Sequence, residues 1–145
     1  MSDFDIRQLL QDAEVNGNDG NLNESANLYE KITEIDRNCT AAWYGLGVIN
    51  AKLGNLDKAV YSFEQAHRIN PDNVPTNANL AMILERKDPE RAANFAKIAL
   101  ESVGENKELL RISKINIINV IKETSSAFFV FKVLINCGRK AAVVK

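Results

Sequence analysis

The stretch TAAWYGLGVINAKLGNLDKAVYSFEQAHRINPDN, Thr40 to Asn73, decides the fold. Trp43, Leu46 and Ile49 recur at helical spacing in its first half, and Ala59, Val60, Phe63, Ala66 and Ile69 do so in its second. Between them, Lys52-Leu53-Gly54-Asn55 carries a helix stop and a short turn. Two helices of about a dozen residues joined by a tight turn make an αα-hairpin. Gly47, Ala59 and Ala66 are small where the two helices would cross, so the backbones can approach while Trp43 and Phe63 fill the space beside them. Pro71 cannot continue the second helix and ends the unit. One such hairpin cannot bury its faces alone and needs a neighbour on each side.

The same residues carry a longer pattern. Trp43, Leu46 and Gly47 read W-x-x-L-G, Ala59 and Phe63 read A-x-x-x-F, and Ala66 and Pro71 follow, all within 34 residues. In length, order and spacing this resembles the tetratricopeptide repeat, except that Asn50 stands where the family has a tyrosine. The resemblance implies an all-α fold, a right-handed α-solenoid of tandem helix-turn-helix repeats.

Shifting the frame shows further copies. Residues 6–39 are a more diverged one: Gly20-Asn21-Leu22 falls on Gly54-Asn55-Leu56, Tyr29 on Phe63, and Ser25 on Ala59, with Leu9 in the tryptophan's place. Ser2 is a candidate N-cap for its first helix, and Asp12, where leucine is expected, predicts looser packing there. Residues 74–106 are a third copy, with Leu80-Ala81 on Leu46-Gly47 and, one residue dropped from the turn, Ala92 and Ala99 on Ala59 and Ala66. Asp88 reads as an N-cap and Pro89 as a first helical residue. Ala96 takes the aromatic position, which predicts a tighter hairpin or room for a neighbour. The expected domains are thus three repeats over 1–106 and a capping helix with a degenerate fourth repeat or tail over 107–145. Within 107–145 a short β meander is the rival reading, because KINIINVI, AFFVFKVLI and AAVVK are rich in β-branched and aromatic residues.

Composition excludes several classes. With 46% hydrophobic and 26% charged residues and a net charge of −1, the chain gives no general case for nucleic acid. No apolar run reaches the roughly 18 residues of a membrane span. The acidic start MSDFDIRQLLQDAE lacks a signal peptide's basic and apolar segments, and Cys39 and Cys137 fit no metal or redox spacing, so the expected compartment is cytoplasmic. Catalytic signals are weak, and the chain reads as not an enzyme. The single histidine, His67, has no marked nucleophile or carboxylate partner and is expected on a solvent face. Gly45-x-Gly47 lacks a third glycine and a preceding strand, and Asp12 to Asn23 lacks the terminal glutamate of a calcium loop. No cofactor or metal is expected.

The resemblance implies that the first helix of each hairpin lines a concave groove. Carried over by position, this places Leu10, Gln11 and Glu14, then Ala41, Tyr44, Gly45, Val48 and Lys52, then Pro75, Ala78, Asn79, Met82 and Arg86 on that surface. Leu10, Tyr44, Val48 and Met82 would form an apolar floor, and Lys52, Asn79 and Arg86 a polar rim, suited to a peptide or helix of a protein partner. Family members that clamp a chaperone's C-terminal carboxylate use two lysines, two asparagines and an arginine. Here those places hold Leu10, Glu14, Gly45, Pro75 and Asn79, so such a tail is not the expected partner. The expected function is a non-catalytic interaction module, adaptor or scaffold. One alternative is a regulatory or targeting subunit of an enzyme encoded elsewhere. Another is a self-assembling homo-oligomer, since residues 1–39 carry a balance of −6 and residues 107–145 one of +6. In that case Ile115, Ile118, Phe128 and Phe131 would supply the apolar contact.

Overall fold

In a computed structural model, residues 3–103 and 106–114 are described, and all of their regular elements are helical. The order is α1 (Asp3–Asn18), α2 (Leu22–Ile35), α3 (Thr40–Lys52), α4 (Leu56–Ile69), α5 (Val74–Leu84), α6 (Pro89–Val103) and a seventh helix, α7, described over 107–114. α1 packs on α2, α3 on α4 and α5 on α6, each pair a hairpin. α2 also packs on α3 and α4 on α5, so the pairs stack into a helical-repeat solenoid. Ser2, Cys137 and the four residues assigned to self-association, Ile115, Ile118, Phe128 and Phe131, lie outside the described residues, as does most of the segment read as either helix or β meander.

Turn chemistry sets the hairpins. Gly20 and Gly54, one repeat apart, adopt φ of +85° and +79°, the left-handed region that glycine enters without steric cost. After α3, Gly54 N–H donates to Ala51 O at 3.0 Å and Asn55 N–H to Asn50 O at 2.9 Å, a Schellman closure. The third hairpin's turn has no such glycine and relies on the Asp88 cap, while Asn73 caps the start of α5. Asn73 Oδ1 accepts from the Thr76 amide at 3.0 Å, and Asp88 Oδ1 accepts from the Arg91 amide at 3.2 Å. Asn106 does the same for α7, accepting from the Glu108 and Leu109 amides at 3.1 Å.

Two buried clusters fill the stack. Ala13, Ala26, Tyr29, Ile32, Ala42, Leu46 and Ile49 form the first. In the second, Phe63, Leu80, Leu84 and the alanines 59, 92, 96 and 99 meet Leu109 and Ile112. The last two come from α7, which therefore packs on the core of the third hairpin. Arg111 of α7 adds a two-point contact, donating to Glu85 at 2.9 Å and to Glu108 at 2.6 Å. Its guanidinium holds the Glu85 carboxyl below the usual glutamate range. In the first hairpin, Ser25 stands where the second has Ala59, and its buried hydroxyl donates to Ala13 O at 2.6 Å across the helix pair.

His67 departs from the expectation of a solvent face. It is half-buried at the junction of α4, α5 and α6. Its Nδ1 stands 2.7 Å from Asn77 Oδ1, and its ring meets Phe95 edge-on at 5.2 Å. An amide oxygen only accepts, so Nδ1 is the donor. Asn77 is fully buried and uses its Nδ2 on Pro71 O at 2.8 Å, which makes the histidine the link between α4 and the start of α5.

Two predictions follow from this packing. A Cβ on Gly47 would stand 2.7 Å from the Phe63 ring, which is 1% exposed and has nowhere to go. Gly47→Ala gains about 1 kcal/mol of helix propensity but overpacks the crossing, at a cost of about 1–3 kcal/mol or more. A net loss is expected in urea melts, and the same holds for Ala66→Leu. His67→Ala strands the buried Asn77 oxygen and should cost about 1–3 kcal/mol. A melt unchanged from the parent would remove this junction from the stability argument.

Candidate functional site

A concave cavity of about 440 Å³ opens along one side of α3. α3 contributes Tyr44, Gly45, Val48 and Lys52, and α1 faces it with Leu10 and Glu14. On a helix of 3.6 residues per turn, positions 41, 44, 45, 48 and 52 share one face, which is why the repeat frame could place them together. Of the seven groove residues read from the sequence, Leu10, Tyr44, Val48 and Lys52 line this cavity. Asn79 joins it indirectly, its Nδ2 donating to Tyr44 Oη at 3.5 Å. Met82 is 56% exposed on α5, and Arg86 is exposed in the turn after it; neither lines the cavity.

Tyr29, from the second helix of the first hairpin, also lines the cavity and was not among the residues assigned to it. Gly45 admits it. A Cβ on Gly45 would stand 2.3 Å from Tyr29 Cζ, so only glycine lets the ring pass α3 and reach the cavity. A glycine inside a helix with no turn to make was the sequence signal for such a close approach. Tyr44 in turn rests on Phe63, ring centroids 5.7 Å apart, which ties the floor to the core of the second hairpin.

The cavity has an apolar floor of Leu10, Tyr44, Val48 and Ile49 beneath two exposed opposite charges, Glu14 and Lys52. Burial raises the Tyr29 phenol above its ordinary pKa of 10.0, and the Glu14 carboxylate adds to the rise. These parts can bury an apolar side chain and orient polar groups around it. Among the described residues no group of three or more His, Cys, Asp or Glu side chains could hold a metal ion. No described helix is long and apolar enough to cross a membrane.

The Tyr29 phenol gives a pH prediction. A folded-state pKa above the unfolded value means that stability is complete below pH of about 10 and is lost as the pH rises through the folded value, because the unfolded chain releases its proton first. Tyr29→Phe should therefore flatten the decline of the urea midpoint above pH of about 10. An alkaline decline identical in both proteins would contradict the burial of that hydroxyl.

Residues 40–73 match the family model of the tetratricopeptide repeat. Anaphase-promoting complex subunit 3 of Schizosaccharomyces pombe is 30% identical over 125 residues, which are 86% of this chain and 18% of that protein. The TPR repeat-containing protein MJ1428 of Methanocaldococcus jannaschii is 31% identical over 100 residues, 68% of this chain and again 18% of the relative. The chain thus spans less than a fifth of either. Among solved structures, the Yersinia enterocolitica type III secretion chaperone SycD, in complex with a peptide of the translocator YopD, superposes with a TM-score of 0.69 at 18% identity. That match covers 84% of this chain and 97% of the other.

Proposed function

Since the chain is a tetratricopeptide repeat protein, we propose that it is a non-catalytic interaction module that takes a peptide or helix of a partner protein into the cavity beside α3. The observation that carries this reading is the cavity itself: about 440 Å³, floored by Leu10, Tyr44 and Val48 and rimmed by Glu14 and Lys52. Exposed Met82 extends the apolar surface on the next hairpin, where an unbranched thioether adapts to a side chain laid along it. The structural neighbour in complex with a peptide supports a peptide ligand, and the relative named as a subunit of a complex supports work within a larger assembly. Glu14 at the cavity mouth disfavours a terminal carboxylate, so the segment bound is an internal one, not a chaperone's C-terminal tail.

Truncating the floor tests it. Tyr44→Ala and Met82→Ala should each weaken partner binding by about 1–3 kcal/mol, the scale of a buried interface anchor. Far-UV circular dichroism should stay unchanged. Binding is read by isothermal titration with a partner captured from the source cells. Loss of helicity in both variants would make these core residues and overturn the groove.

A further inference from the structure

A second cavity, of about 310 Å³, lies between α2, α3 and α4. Its α3 residues are Trp43, Leu46 and Asn50, about half a turn around the helix from Ala41, Tyr44, Val48 and Lys52. The two cavities therefore open on opposite sides of α3.

The lining of this second cavity is rich in acceptors. Asn50 is 4% exposed and spends its Nδ2 on Leu46 O at 3.0 Å, while no described residue donates to its Oδ1. Ser62 donates its hydroxyl to Lys58 O at 2.9 Å, and Thr33 donates to Glu30 O at 2.7 Å. One N–H of the Asn50 amide and both buried hydroxyl hydrogens are thus used on carbonyls of their own helices, which leaves the Asn50 Oδ1 and the hydroxyl lone pairs as acceptors for a ligand. Glu30 and Glu34 line the cavity too, and among the described residues neither carboxylate has a cation within 4.0 Å. Lys58 is the one cation among the lining residues, and it is exposed. Trp43 and Tyr61 supply an aromatic wall, their rings edge-on at 6.1 Å with Tyr61 57% exposed.

The lining includes a sequence departure. Asn50 stands where the repeat pattern carries a tyrosine, so a shorter, polar side chain lines the cavity there.

A ligand for these walls must be cationic, must donate several hydrogen bonds, and must present a face that packs on aromatic rings. A quaternary ammonium has no N–H to offer Asn50 or the hydroxyls, and an anion would meet two carboxylates. A guanidinium has five donors, no acceptor and a planar face that stacks on aromatic side chains. We propose that this cavity binds an arginine side chain of a partner protein, on the side of α3 opposite the concave groove. This site stands independently of the groove, since the two share no lining residue.

Trp43 is the single tryptophan in the chain, so its indole N–H is an unambiguous reporter in a nitrogen-15 correlation spectrum. The full chain is titrated with N-acetyl-Gly-Arg-Gly-amide, with its citrulline counterpart, which keeps the shape and loses the charge, and with the lysine counterpart. The arginine peptide is expected to shift the Trp43 indole signal saturably. The citrulline and lysine peptides, and the Glu34→Gln variant with the arginine peptide, should bind about tenfold more weakly, the factor expected for one lost charge-assisted hydrogen bond. Asn50→Tyr, which restores the repeat pattern and fills the cavity, should abolish the shift while keeping the helical circular dichroism. Equal responses to arginine and citrulline, no saturable shift in the parent protein, or an unchanged affinity in Glu34→Gln would each overturn the proposal.

Discussion

Aromatic rings seated on missing Cβ atoms hold this structure in register. Phe63 lies on Gly47 within the second hairpin, and Tyr29 lies on Gly45 between the first hairpin and the second. Both rings come from equivalent places of successive repeats, thirty-four residues apart. Each contact sets how closely two helices approach, and everything exposed follows from those distances. Tyr44 rests on Phe63, Asn79 reaches Tyr44, and Tyr29 forms part of the concave cavity. The surface ion pairs between hairpins, Arg91 with Glu64 and Lys87 with Asp57, join partly or largely exposed groups. Such pairs contribute about 0–1 kcal/mol each, well below the burial of a Phe63 or a Leu80, so they tune a junction between the second and third hairpins that the buried cluster around Phe63 and Leu80 and the His67–Asn77 link already fix.

That hierarchy explains what was legible in the sequence. The hairpins were readable because helical periodicity and turn glycines are local, and Gly54 and Gly20 announce their turns without any tertiary knowledge. The Asp88 cap was local as well. The four cavity residues placed by the repeat frame, Leu10, Tyr44, Val48 and Lys52, inherit their positions from helix geometry alone. Tyr29 was not legible as a cavity residue, because its arrival depends on a glycine sixteen positions away on another helix. His67 was misplaced for a related reason. A lone polar residue beside a buried alanine looks exposed until its partner, Asn77, is brought to it by the next hairpin.

Arg86 marks the edge of what a repeat frame can carry. The frame assumes equal hairpins, but α5 is only 11 residues long and ends at Leu84, so Arg86 falls in a turn instead of a helix. The one-residue deletion that ends α5 early also removes the glycine turn and substitutes the Asp88 cap. Position along a helix transfers between repeats only while the helix lasts.

The two cavities show how one helix can serve two surfaces. α3 has a low preference for either side, with small or apolar residues around most of its circumference, and its buried residues include Gly45, Gly47 and Asn50. A helix packed on several sides needs close neighbours there, and the glycines provide them toward the rings of Tyr29 and Phe63. Where a small residue meets a ring, the gap closes. Where Asn50 replaces a bulky residue, the gap remains, lined by polar atoms that offer acceptors. An apolar void of this size would collapse or destabilise the stack by an amount that grows with its volume. A void open to solvent and lined by acceptors costs less, because water can satisfy it until a better donor arrives. The same substitution that weakens the repeat pattern thus leaves a polar recess that the stack can sustain, and it does so on the side of the helix that the concave groove does not use.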